Sequence, residues 1–140
     1  MKKLMSLVLA FMLCFSFSVP AEAVSFPCGE VQPYDDIAGQ TTSVLIVNGT
    51  TATCMSTCHG DSEVVKIVGE QYLQKEGFLW IWTTYDGAEW KETAYSDKLS
   101  MTNTKTGLTD GKYRLKSVFT LTYREGKTET ITVYSDERIV

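Results

Sequence analysis

The run Phe78-Leu79-Trp80-Ile81-Trp82-Thr83-Thr84-Tyr85 is where the reading of the fold turns. Successive side chains of a β-strand point to opposite faces. As one strand, this run would place Phe78, Trp80 and Trp82 on one face and Leu79, Ile81 and Tyr85 on the other. Such a strand is apolar on both sides, whereas a one-sided sheet needs only one apolar face. Either the run lies in the middle of the fold, or one of its faces is covered by something other than its own core.

Asp86-Gly87 follows the run and reads as a two-residue hairpin turn leading into residues 88–95. That turn would pair Tyr85 with Ala88, Thr83 with Trp90, Ile81 with Glu92 and Leu79 with Ala94. Leu79, Ile81, Tyr85, Ala88, Trp90 and Ala94 would then form a core face. Phe78, Trp80, Trp82 and Tyr95 would share the opposite face with Glu89, Lys91 and Thr93. A face that mixes charges with large aromatics is half exposed, and flat rings on such a face can stack on sugars or anchor a protein interface. A one-residue slip of register would bury Trp80 and Trp82 instead. The candidate binding residues are therefore Trp80, Trp82, Trp90 and Tyr85.

Upstream of the run the chain reads as strand, turn, strand. Residues 42–47 are rich in β-branched side chains and end at Asn48-Gly49, a strong hairpin signal. Residues 50–58 alternate Ala52, Cys54, Ser56 and Cys58 against Thr51, Thr53, Met55 and Thr57. Residues 64–74 form the next strand, in which Gly69 marks a bulge or a close approach. Downstream, a short strand covers residues 99–104. A longer one places Tyr113, Leu115, Ser117, Phe119, Leu121 and Tyr123 on one face and Arg114, Lys116, Thr120, Thr122 and Arg124 on the other. Residues 128–135 make the last strand. No stretch carries a sustained 3.6-residue apolar period. Seven or eight short strands with regular turns predict an all-β, antiparallel β-sandwich over residues 41–140. Residues 108–113 have the form of a tyrosine corner, in which a Tyr hydroxyl ties back to upstream backbone as a late strand begins.

The start of the chain speaks to export. Lys2 and Lys3, an apolar run over residues 4–19, Pro20 and Ala21-Glu22-Ala23 make the pattern of a secretory signal peptide spanning residues 1–23. The apolar run is shorter than the roughly 20 residues of a spanning helix, so no stable membrane anchor is expected after cleavage. Residues 24–40, with Pro27 and Pro33, form an extended N-terminal segment. The expected location is secreted, extracellular. Cleavage leaves 117 residues with 11 basic and 16 acidic side chains. That mildly acidic balance without a basic cluster argues against nucleic acid as a partner.

Export also frames the cysteines. Cys28, Cys54 and Cys58 remain, an odd number for an oxidising compartment. On one strand Cys54 and Cys58 would stand about 13 Å apart, beyond the roughly 7 Å reach of a disulfide. The expected bond joins Cys28 to Cys54 or to Cys58, leaving the third thiol free or linked to another chain. Cys54, Cys58 and His59 are a weak zinc candidate, since His59 is the single histidine. Cys58 and His59, adjacent on a strand, point apart and cannot form a nucleophile pair with each other. The acidic pairs Asp35-Asp36, Asp61/Glu63, Asp86/Glu89 and Asp136-Glu137 sit at turns or ends. No phosphate loop, nucleophile elbow or zinc motif is present. No catalytic residue, metal site or cofactor is expected.

Several short stretches carry a resemblance. They are residues 48–54 (Asn-Gly-Thr-Thr-Ala-Thr-Cys), Leu73-Gln74-Lys75, the Trp80/Trp82 pair, Gly111-Lys112-Tyr113-Arg114 and Glu129-Thr130, set behind a signal peptide. Together they resemble a family of small secreted Gram-positive bacterial proteins, a domain of unknown function with an immunoglobulin-like sandwich. The resemblance implies that fold and export, and no catalytic residues. Leu115 stands two residues after Tyr113 where antibody-type domains carry a cysteine, so the usual inter-sheet disulfide from Cys54 cannot form. The expected function is a non-enzymatic binding or interaction module, with a glycan or an extracellular protein as the partner to test. The alternative is a self-associating structural protein linked by disulfides, and a small hydrolase ranks last.

Overall fold

A computed structural model describes residues 39–140. The signal peptide, Cys28 and all but the end of the 24–40 segment lie outside the described residues. From residue 39 the elements are β1 (Gly39–Asn48), β2 (Thr51–His59), β3 (Val64–Glu76), a single 3₁₀ turn (Phe78–Trp80) and β4 (Trp82–Ala94). They continue through β5 (Lys98–Lys105), β6 (Lys112–Tyr123), β7 (Thr128–Tyr134) and β8 (Arg138–Ile139). The strands form two antiparallel sheets. One is ordered β1-β2-β5; the other is ordered β4-β3-β6-β7, with β8 also paired to β6. Hairpins join β1–β2, β3–β4 and β6–β7 within a sheet, while β2–β3, β4–β5 and β5–β6 cross between sheets. Among the described residues, no helix is long and apolar enough to cross a membrane.

Period-two alternation builds the core. β6 buries Tyr113, Leu115, Ser117, Phe119, Leu121 and Tyr123, and β2 buries Ala52, Cys54, Ser56 and Cys58. The buried apolar residues form two clusters. One gathers Leu45, Ala52, Cys54, Leu73, Ala88, Leu108, Tyr113 and Leu115. The other gathers Cys58, Val64, Ile67, Leu99, Met101, Phe119, Leu121 and Tyr123.

Polar side chains lie between the two clusters. Ser43 stands opposite Ser56 in the first sheet, and Gln71 opposite Ser117 in the second. Hydrogen bonds cross from sheet to sheet at this level. The Ser43 and Ser117 hydroxyls meet at 2.9 Å. Gln71 Nε2 donates to Ser56 Oγ and to the Cys54 carbonyl, while Asn103 Nδ2 donates to Gln71 Oε1 at 2.7 Å. Among the described residues, no buried side-chain nitrogen or oxygen lacks a partner, as a buried polar layer requires.

The expected tyrosine corner is present. Tyr113, fully buried at the start of β6, donates its hydroxyl to the Thr109 carbonyl at 2.7 Å. Tyr113→Phe removes that bond and leaves the carbonyl short of a partner, so it should cost about 1 kcal/mol. Urea titration checks this, and an unchanged midpoint would show that water serves the carbonyl equally well. The close-approach reading of Gly69 also holds. A Cβ there would lie 2.6 Å from Leu99 Cδ2 and from Met101 Sδ of the opposite sheet.

Three expectations are corrected. The run at residues 78–85 is not one strand, because Phe78–Trp80 form the 3₁₀ turn and β4 begins at Trp82. Asp86-Gly87 is not a hairpin turn. It lies inside β4, where the register slips from Gln74↔Thr84 to Tyr72↔Glu89 and the intervening residues bulge. Gly87 takes a φ of +62° in that bulge, and both a bulge and a primed turn call for this conformation. The expected pairings therefore do not form: Thr83 opposes Lys75 and Trp90 opposes Gln71. Finally, Leu79 and Ile81 are exposed rather than part of a core face, although Tyr85, Ala88, Trp90 and Ala94 do pack inward. β8 had no counterpart in the sequence reading.

Candidate functional site

The bulge and the five-residue β3–β4 loop split the aromatic run into parts with different surroundings. At the tip of the hairpin, Phe78, Leu79, Trp80 and Ile81 are 86%, 61%, 78% and 58% exposed. The loop closes on itself: the Gly77 amide donates to the Ile81 carbonyl at 2.8 Å, and the Ile81 amide to the Phe78 carbonyl at 3.4 Å. Leu79 and Trp80 both occupy the left-handed region, with φ of +57° and +59°. For residues with a Cβ that conformation costs about 1–2 kcal/mol each. Two bulky side chains thus stand in water on strained backbone.

Trp82 lies one step below the tip, on the outer face of the five-stranded sheet. Its ring carries the Arg114 guanidinium at 4.3 Å, and on its other side that guanidinium meets Tyr134 at 4.5 Å. Gln74 Oε1 accepts from Arg114 Nε at 2.9 Å and fixes the cation in the stack. The register then lines up Glu89, Tyr72, Lys116 and Tyr134 across four strands, with Lys116 Nζ 5.8 Å from the Tyr72 ring centroid. In the next row Lys91 pairs with Glu70 at 2.8 Å. Burial first, and then Glu70, raise the Tyr72 hydroxyl above its ordinary pKa.

Trp90 and Tyr85 face the sandwich interior. Trp90 is half-buried and touches both core clusters. Tyr85 packs edge-on against Tyr113, with centroids 5.5 Å apart, and donates its hydroxyl to the Gly107 carbonyl at 3.1 Å. The four nominated residues therefore occupy three places: Trp80 the tip, Trp82 the outer face, and Trp90 and Tyr85 the inner edge of β4. Arg114, Tyr134 and Tyr72 escaped the sequence reading. The alternation of β6 placed Arg114 and Lys116 outward, but which rings meet them depends on the register of three other strands.

The chain matches no protein-family model, and no curated protein matches its sequence. The site is accordingly read from its own chemistry.

That chemistry does not centre on the cysteines. Cys54 and Cys58 are both free and fully buried. The expected partner, Cys28, lies outside the described residues. His59 projects outward beside the buried Cys58. Among the described residues, no three His, Cys, Asp or Glu side chains gather as a metal site. Burial pushes the Cys54 thiol up from 9.0 to about 12. Burial likewise raises Cys58, against a lowering hydrogen bond from Thr41, with Glu129 adding to the rise. Thiolate chemistry is suppressed at both positions. In the reduced, folded protein neither thiol should react with a disulfide reagent at pH 8, and both should react in urea. The linkage has one sign. Below pH 9 folded and unfolded chains both keep the Cys54 proton. Above it the unfolded chain loses the proton first, so stability falls as pH rises toward 12. Rapid labelling of the native protein would contradict this.

Proposed function

We propose that the chain is a secreted, non-enzymatic, immunoglobulin-like module that docks on a protein partner through its β3–β4 tip. The observation that carries the proposal is the exposure of Phe78, Leu79, Trp80 and Ile81 on left-handed backbone. Four consecutive large apolar side chains left in water are unusual on a monomer, and exposed apolar patches are often functional. Strain at exposed side chains serves no packing purpose, and strained backbone clusters where function needs it. A convex knob with two aromatic rings suits insertion into an apolar cleft as an interface anchor. Stacked Trp82, Arg114 and Tyr134 give the base of the knob a polar rim.

The immunoglobulin-like reading is supported by the strand order, with three strands facing a four-strand path and three connections crossing between them. It is further supported by the tyrosine corner at the crossing into β6. The signal-peptide pattern and the resemblance to small secreted Gram-positive proteins support export. The disulfide-linked alternative draws less support, because both described thiols are buried.

Two measurements test the tip. Trp80→Gly relieves a left-handed residue and removes its ring, so stability in urea should stay level or rise by up to about 1 kcal/mol. A loss above that size would make Trp80 a structural residue. A photo-crosslinking side chain at position 79, applied to the culture of origin, should give a product that the same group at Tyr95, exposed after β4, does not. A heterologous product identifies the partner and a dimer of this chain identifies self-association. No tip-specific product overturns the proposal.

A further inference from the structure

The outer face of the five-stranded sheet carries a second surface, distinct from the tip. A shallow depression of about 300 Å³ opens at the β3–β4 edge, lined by Glu70, Tyr72, Glu89, Trp90 and Lys91. That volume lies at the small end of ligand sites. We infer that this depression binds a neutral saccharide, with Tyr72 as the ring platform and Glu89, Glu70 and Lys91 as hydrogen-bonding groups.

Charge selects the ligand class. An organic cation would be drawn to the Tyr72 ring and two carboxylates, but Lys91 lies in the lining and Lys116 already stands 5.8 Å from the Tyr72 ring. An anion would meet Glu70 and Glu89. The Lys91–Glu70 pair, closed at 2.8 Å, leaves three ammonium donors and four carboxylate lone pairs only partly used. A polyhydroxyl ligand needs donors and acceptors side by side and no net charge, and this lining supplies both. Its apolar C–H face needs a flat ring, which Tyr72 provides between Glu89 on one neighbouring strand and Lys116 on the other. The site is open along the sheet, so a chain can extend past it toward Gln74 and Arg114 on the same face.

The test is titration of the folded protein, labelled with ¹⁵N, with cello-, chito-, malto-, xylo- and manno-oligosaccharides. Tetramethylammonium and an oligogalacturonide serve as charged comparators. At least one neutral oligosaccharide should shift the amides of residues 70–72 and 89–91. Tyr72→Ala should weaken that binding roughly tenfold or more, and Glu89→Gln roughly threefold to tenfold. Tyr72→Phe, which keeps the ring and guards against misfolding, should retain most of it. Tyr95→Ala, on the same face beside Lys66 but not among the lining residues, should bind as the parent does. The inference is overturned if no neutral oligosaccharide binds, if the shifts map elsewhere, or if Tyr72→Ala binds equally. Tighter binding of either charged comparator would also overturn it, by making the site ionic.

Discussion

Phe119→Ala is expected to cost about 3–5 kcal/mol, the range for deleting a fully buried phenylalanine. Phe119 sits in the middle of β6, opposite Gly69 on β3 and Ile131 on β7. Gly69 is bare because the side chains of Leu99 and Met101 reach across from the other sheet onto its Cα, with the Phe119 ring beside them. Removing the ring therefore opens a void beside the close approach of the two sheets at Gly69. Leu99 and Met101 can fill part of it, and that relaxation decides where in the range the value falls. Urea denaturation checks it against Phe78→Ala, which deletes the same side chain from an exposed site and should change stability by less than about 0.5 kcal/mol. A loss below about 1.5 kcal/mol for Phe119→Ala would mean that the cluster closes over the gap.

Gln71→Leu should be the second largest, at about 2–3 kcal/mol, although leucine is apolar and similar in size. The loss comes from the partners. The Ser56 hydroxyl loses its donor and the Asn103 amide its acceptor, each buried or half-buried between the sheets. An unsatisfied buried group costs about 1–3 kcal/mol. The diagnostic is the double variant. Adding Ser56→Ala to Gln71→Leu should recover about 1 kcal/mol, whereas Ser56→Ala alone should destabilise. Additive effects in that cycle would show that the cross-sheet hydrogen bonds carry little energy. The same layer bears on register, since a one-residue slip would turn Gln71 outward and an apolar neighbour inward.

The proposed surfaces differ in how far the sequence revealed them. The tip was visible as an aromatic run that no single strand face could accommodate. Its exposure was not, because the position of the turn decides it. Lys75-Glu76-Gly77 and Asp86-Gly87 both read as turns on either side of the run, and the chain reverses only at the first. Gly87 adopts a positive φ in a bulge, the same conformation a hairpin would need, so the dipeptide alone does not distinguish them. Leu79 and Trp80, the residues that actually take the left-handed conformation, are among those that local preference would place there last.

By itself the sequence determined the class of fold, most of the strands and the alternation of β2 and β6. Alternation in β2 and β6, the hairpin at Asn48-Gly49, the close approach at Gly69 and the tie from Tyr113 all follow from local periodicity or from one residue's own chemistry. Tertiary structure alone decided which strands share a sheet, where β4 bulges, and that Arg114 lies between Trp82 and Tyr134. It also decided that Glu70, Tyr72 and Glu89 share a depression. Those contacts join residues tens of positions apart. They depend on the pairing register, which is set by how both sheets bury their apolar faces together and not by any segment alone.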